Sequence, residues 1–196
     1  MTRARPVHIG RMTDLNVLGI AGSLRKGSLN RALLRTTQKL APDGMRIAIH
    51  DLDDVPLYNG DVEGAGDPPG VVAFKDAIRA ADAVLMVTPE YNHGVPGVMK
   101  NAVDWASRPA RGAPLGGKPV GIIGASPGQT GTARGQSQLR QAFEFTNSLC
   151  MPQPEILVFR AHEKFDAAGE LTDETTAKYL RAYLEALKVW ALRFKA

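Results

Sequence analysis

Three stretches concentrate the residue types that hold charged or aromatic ligands: GSLRKGSLN at 22–30, TPEYNHGVPGVMKNAVDW at 88–105 and ASPGQTGTARGQSQLR at 125–140. The first sets Gly and Ser around Arg25 and Lys26, just ahead of a helical pattern. Free N–H groups, hydroxyls and a positive helix end together suit a phosphate. No Gly-Lys-Ser/Thr closes this loop as in a Walker A motif, and GxGxxG spacing is absent; an ordinary strand–helix turn is the alternative. The second stretch offers backbone amides and carbonyls beside Tyr91, which suits a flat heteroaromatic ligand with hydrogen-bonding edges. Its alternative is a turn in which Glu90 and Asn92 only satisfy local backbone. The third is a Gly-rich helix start whose amides stabilise negative charge on a ligand edge. Three such loops on one sheet edge carry more weight than any one.

The elements around them alternate strictly. LNVLGIAGS (15–23) reads as a buried strand running into a turn. Ser28 caps a helix carrying Ala32, Leu33, Leu34, Thr37 and Leu40, and Pro42-Asp43-Gly44 stops it. MRIAIH (45–50) is a second strand. The Gly, Pro and Asp content of 51–70 forbids regular structure there. A helix at 70–81 leads to a strand at 83–89. Pro96 opens a helix over 95–109 whose apolar stripe is Val95, Val98, Met99, Ala102, Val103 and Ala106. A fourth strand (118–125), a helix (132–148), a fifth strand (154–159) and a last helix (173–194) complete the chain. Strands apolar on both faces with helices between them predict an α/β fold: a five-stranded parallel sheet in a three-layer sandwich, in the flavodoxin-like order 2-1-3-4-5. Such sheets bind ligands at the carboxyl ends of their strands, where all three loops fall.

The chain has 196 residues, 44% hydrophobic and 22% charged, which fits one ordinary domain over 14–196. Its net charge of +4 invites a nucleic-acid reading, but Arg3, Arg5 and Arg11 sit in residues 1–13 without any acid. That segment is expected to be a disordered basic tail, and the rest carries 21 basic against 20 acidic side chains. Neither nucleic acid nor membrane is expected as a partner. With no apolar run of transmembrane length and no signal sequence, a cytoplasmic location is expected. The single cysteine, Cys150, excludes an internal disulfide and reads as a packed apolar residue. His8, His50, His93 and His162 lack metal-ligand spacing, and Asp51, Asp53 and Asp54 read as turn residues, so no metal site is expected. No Gly-x-Ser-x-Gly elbow surrounds Ser23 or Ser28, which argues against a serine hydrolase. Trp105 and Trp190 are read as core or subunit-interface residues.

GSLRKGSLN, PEYNHGVPGVMKNAVDW, DLDDVPLYNGD (51–61) and the third Gly-rich loop resemble the NADPH-dependent FMN reductase family, which includes chromate/quinone reductases and azoreductases. The resemblance spans about residues 14–190. It implies non-covalent FMN, NAD(P)H as co-substrate, and a homodimer or homotetramer. By motif, Ser23, Arg25, Ser28, Leu29 and Asn30 would hold the FMN phosphate. Pro89, Glu90, Tyr91 and Asn92 would line the isoalloxazine ring, with Gly94 letting the chain turn beneath it. Ser126 and Gly128 would contact the pyrimidine side, where α-helical N–H groups would favour the reduced ring. His93 stands where relatives often have Tyr and is a substrate-pocket candidate; Gly131-Thr132 replaces a common Gly-Gly.

The expected activity is therefore an FMN-dependent NAD(P)H oxidoreductase that passes hydride through FMN to quinone, azo, nitro, chromate or flavin acceptors by a ping-pong cycle. No side chain is assigned as catalytic, since the flavin itself carries the hydride. The alternative is a flavodoxin-type electron carrier or a flavin-binding regulator without turnover. Typical flavodoxins are acidic, whereas this fold is near neutral.

Overall fold

A computed structural model describes residues 14–109 and 111–195. The expectation of disorder at 1–13 lies outside the described residues. The strands are β1 (Leu15–Ala21), β2 (Met45–His50), β3 (Ala83–Val87), β4 (Pro119–Ala125), β5 (Leu149–Cys150) and β6 (Ile156–Val158). The helices are α1 (Leu29–Lys39), α2 (Gly60–Ala65), α3 (Pro69–Ala80), α4 (Gly97–Ala106), α5 (Ala133–Phe145) and α6 (Glu174–Leu192). All strand pairings are parallel, in the order β2-β1-β3-β4-β5, with β6 also on β4. This is the flavodoxin-like three-layer sandwich expected from the alternation.

The period-two rule of strands splits the core cleanly. Val17, Leu85 and Ile123 face α1 and α6, meeting Leu33, Leu34, Leu184 and Leu187. Leu18, Ile20, Met86 and Ile122 face the other way, onto Phe74 and Ile78 of α3, Met99 and Val103 of α4, and Leu139 and Phe143 of α5. β3 and β4 are wholly buried, so the loops that follow them start from the centre of the core.

Two expectations need correction. Residues 51–70 do contain regular structure: α2 forms within them, started by the Asn59 side chain accepting from the Asp61 N–H. α2 buries no residue, so only its cap and the acids in its first turn support it, and no apolar periodicity could announce it. The fifth strand expected over 154–159 is present as β6, and a sixth, two-residue strand that was not expected, β5, precedes it. β5 pairs with the start of β4 (Pro119↔Leu149), and β6 pairs with its end (Ile123↔Ile156). Between them Pro152 and Pro154 remove the N–H groups that a continuous ladder needs. Cys150 accordingly lies on β5, half-buried. α5 also stops earlier than expected, because Asn147 adopts a left-handed φ of 55°. Among the described residues no helix is long and apolar enough to cross a membrane, and no cluster of three or more His, Cys, Asp or Glu could hold a metal. Asp51 and Asp53 instead face Arg31, at 2.6 and 3.5 Å.

Candidate functional site

The first loop is shaped by α1's own cap. Ser28 Oγ accepts from the N–H groups of Asn30 and Arg31, at 3.2 and 3.3 Å, and the Ser28 N–H closes a turn onto the Arg25 carbonyl. No acid sits in the first turn of α1, so its positive end is uncompensated there, with Arg25 and Lys26 exposed beside it. Asn30 works at longer range. Its Nδ2 donates to the Ala125 carbonyl and its Oδ1 accepts from the Ala125 N–H, both at 2.8 Å. That bidentate contact locks the start of α1 onto the end of β4. Asn30 therefore shapes the site from behind, its carboxamide fully engaged.

The second loop leaves β3 through Thr88, Pro89 and Glu90 and then reverses. Tyr91 and Gly94 exchange both backbone hydrogen bonds, and Asn92 and His93 form the tip with φ of 52° and 63°. Two left-handed residues in succession make the tight turn whose twist suits a two-residue hairpin. The chain thus turns at Asn92 and His93, not at Gly94. Gly94 leaves room for Gln138: a Cβ there would lie 2.8 Å from Gln138 Oε1, which accepts from the Val95 N–H at 2.7 Å. Tyr91 is 57% exposed, and His93 is exposed at the hairpin tip.

Glu90 connects the second loop to the third. Its side chain is only 7% exposed, and Oε2 accepts from the N–H groups of Arg134 and Gly135, each at 2.9 Å. The Arg134 guanidinium adds a 3.7 Å approach to the same carboxylate. Thr132, at the N-cap of α5, makes no side-chain cap bond, so Glu90 caps that helix from the neighbouring loop. This corrects the expectation that the first N–H groups of α5 are free to stabilise a ligand: two of them already serve Glu90. The third loop is also tied to itself and to the stretch after β6. Gly128 donates from its N–H to Ser126 Oγ at 3.1 Å and accepts from the Arg160 N–H.

These loops enclose a cavity of about 260 Å³ at the carboxyl edge of the sheet. Arg25, Ser28, Leu29, Asn30, Pro89, Glu90, Tyr91 and Ser126 line it, joined by Ala125 and Pro127, which the sequence did not single out. Ser23, Asn92, Gly94, Gly128 and the substrate candidate His93 do not line it. Gln138 was likewise missed; a polar residue one helical turn beyond a Gly-rich loop was the only available signal. Arg25 and the Ser28-capped start of α1, which has no acid in its first turn, lie on one side, proline and an exposed tyrosine on the other. That donor set fits a ligand with an anionic head and a flat ring. Burial pushes the Cys150 thiol above its ordinary pKa, with Arg140 opposing, which disfavours a reactive thiolate there.

The NADPH-dependent FMN reductase family profile matches residues 15–163. An NAD(P)H-dependent FMN reductase of Pseudomonas aeruginosa is 47% identical over 182 residues, covering 93% of this chain and 98% of its own. A quinone reductase of Escherichia coli K12 is 43% identical, covering 92% of this chain and 97% of its own. Among solved structures, the flavoenzyme NAD(P)H:(acceptor) oxidoreductase FerB of Paracoccus denitrificans superposes with a TM-score of 0.83 at 40% identity, covering 91% of this chain and 98% of its own. With its sheet order, its three loops and these full-length similarities, the chain belongs to the NADPH-dependent FMN reductase family of flavin-dependent oxidoreductases.

Proposed function

We propose that this chain, an FMN-dependent NAD(P)H oxidoreductase, works by a ping-pong cycle and passes electrons to quinones, azo dyes, nitroaromatics, chromate or free flavin. The observation that carries the reading is the convergence of α1's uncompensated end with the Pro89–Tyr91 and Ser126–Pro127 walls in one cavity. Bound FMN supplies the hydride chemistry. Arg25, Ser28 and the N–H groups of the first loop hold its phosphate, and Leu29 packs beside them. Asn30 keeps that loop on β4. Pro89 and Tyr91 border the flat ring, and Ser126 presents a hydroxyl to its polar edge. Glu90 holds the second and third loops at a constant separation, so the walls are formed before any ligand arrives. Ser23 and Gly128 act from behind the walls, and Asn92, His93 and Gly94 set the hairpin beside the mouth. Donor and acceptor enter by the same mouth in turn, which is why the kinetics are ping-pong. Quinones lead the acceptors because relatives of this length are named quinone reductases.

The working unit is a homodimer or homotetramer in the cytoplasm, with residues 14–196 as one domain. Two measurements test the reading. Titrating apoprotein with FMN should quench flavin fluorescence to a stoichiometric end point. Double-reciprocal plots of NADPH oxidation at several quinone concentrations should run parallel. Converging lines would sink the ping-pong cycle, and NADPH left unconsumed would point to the flavodoxin-type carrier instead.

A further inference from the structure

The DLDDVPLYNGD segment takes no part in the cavity, yet it is held with unusual care. Asn101 of α4 brackets Leu57: its Nδ2 donates to the Pro56 carbonyl at 2.9 Å and its Oδ1 accepts from the Tyr58 N–H at 2.8 Å. Trp105 Nε1 donates to the same Pro56 carbonyl at 2.8 Å, and the Tyr58 ring meets the Trp105 ring edge-on at 5.0 Å. Below them Lys75, 1% exposed, reaches Asp67 at 2.6 Å and anchors the stretch beyond α2. Gripped on both sides, Leu57 cannot fold back into the core and stands 82% exposed. Facing it are Leu24 of the first loop, 44% exposed, and Val98 in the first turn of α4. With Leu52 and Val55 these side chains enclose a cleft of about 180 Å³. Its one polar lining group, Asn101, already has both ends of its amide engaged. The cleft and the larger cavity are lined by consecutive residues of the first loop, Leu24 in one and Arg25 in the other.

We propose that this cleft is the subsite for an aliphatic substituent of the electron acceptor: a quinone whose ring occupies the cavity mouth and whose side chain crosses Leu24 to lie between Leu57 and Val98. The inference rests on the reading of the cavity as the site of quinone reduction. The lining contains no charged side chain, and its one amide is already tied to backbone through both Nδ2 and Oδ1, so it favours apolar over polar substituents. Its size sets the chain length. An apolar cavity of about 150 Å³ holds a benzene ring, so this one takes roughly six carbons, one isoprenoid unit with its linking carbon.

Two measurements test this separately from FMN binding. In methyl-resolved NMR of the apoprotein, a benzoquinone bearing one five-carbon isoprenoid chain should shift the methyls of Leu24, Leu57 and Val98, whereas unsubstituted benzoquinone should not. In the FMN-loaded enzyme, kcat/KM for the chain-bearing quinone should exceed that for the bare ring by about tenfold or more, because each methylene withdrawn from water is worth roughly fourfold. That ratio should fall towards one in Leu57→Asn and in Val98→Asn. A ratio near one in the wild type, or one preserved in both variants, overturns the proposal. So does a Leu57→Asn change that dissociates an oligomer in sedimentation while the methyls ignore the quinone, which would make the cleft a subunit contact. If FMN fails to bind, the functional reading falls, and the apoprotein methyl shifts alone decide the cleft.

Discussion

The two edges of the sheet are tied down by different chemistry. At the carboxyl edge the ties are planar amides and a carboxylate: Asn30 on Ala125, Glu90 on Arg134 and Gly135, Gln138 on Val95, and Asn101 on Pro56 and Tyr58. At the amino edge most are lysines on carbonyls, Lys118 on Ala81, Lys188 on Asp43, and Lys195 on Asp14 with an ion pair to Asp82, whose carboxylate also accepts from the Asn16 N–H. An amide that donates and accepts against the same stretch of backbone fixes both distance and orientation. An ammonium on a flexible stem holds a turn in place without orienting it. The edge that must present ligand groups at defined positions uses the first kind, and the edge that only closes turns uses the second.

Several changes would break or sharpen this contrast. Asn30→Ala should do the most, because it strips partners from both the N–H and the carbonyl of buried Ala125. A loss of about 2–4 kcal/mol in denaturant unfolding is expected, together with weaker FMN binding. Arg25→Ala should leave stability alone and weaken FMN by about 1.5–3 kcal/mol, roughly ten- to a hundredfold in a fluorescence titration. Unchanged affinity would move the phosphate elsewhere. Glu90→Gln keeps one acceptor oxygen for α5 and removes the charge; about 1 kcal/mol of stability should go, as seen in thermal melts. Lys195→Ala should cost about 0.5–1 kcal/mol and leave FMN affinity untouched. If it weakened FMN as much as Asn30→Ala, the contrast between the edges would collapse.

The smallest effect concerns pH. Burial lowers the pKa of His50, at the carboxyl end of β2, although Asp51 and Asp54 oppose the shift. A lowered histidine pKa means that the unfolded chain binds the proton more readily. The contribution of His50 is therefore present above its ordinary value near 6.5 and is lost as pH falls through that value towards the folded-state pKa. Unfolding free energy should rise between about pH 5 and 7 in the wild type, and less so in His50→Asn.

Much of the architecture was legible because its signals are local. β-branched runs, a capping serine and Pro/Gly stops marked β1, α1, β2, α3, β3, α4, β4 and α6 to within a few residues. α2 escaped because it buries nothing, and β5 escaped because two residues, Leu149 and Cys150, are too short to carry a strand pattern. At the site, residue types named eight lining positions, but not what each side chain does there. Glu90 was read as a wall and is also a helix cap. Gly94 was read as a turn and is a clearance for Gln138. His93, the substrate-pocket candidate, forms the exposed tip of the hairpin beside the cavity.

The sequence by itself determined the order and kind of the elements, and that three ligand-bearing loops share one sheet edge. Its basic excess, which belongs largely to residues 1–13, said little about the site. Only the tertiary structure decided which polar groups remain free for a ligand. That depends on pairs such as Asn30 with Ala125 and Glu90 with Gly135, separated by 95 and 45 residues. No local pattern encodes a hydrogen bond across such distances; packing the helices onto the sheet does.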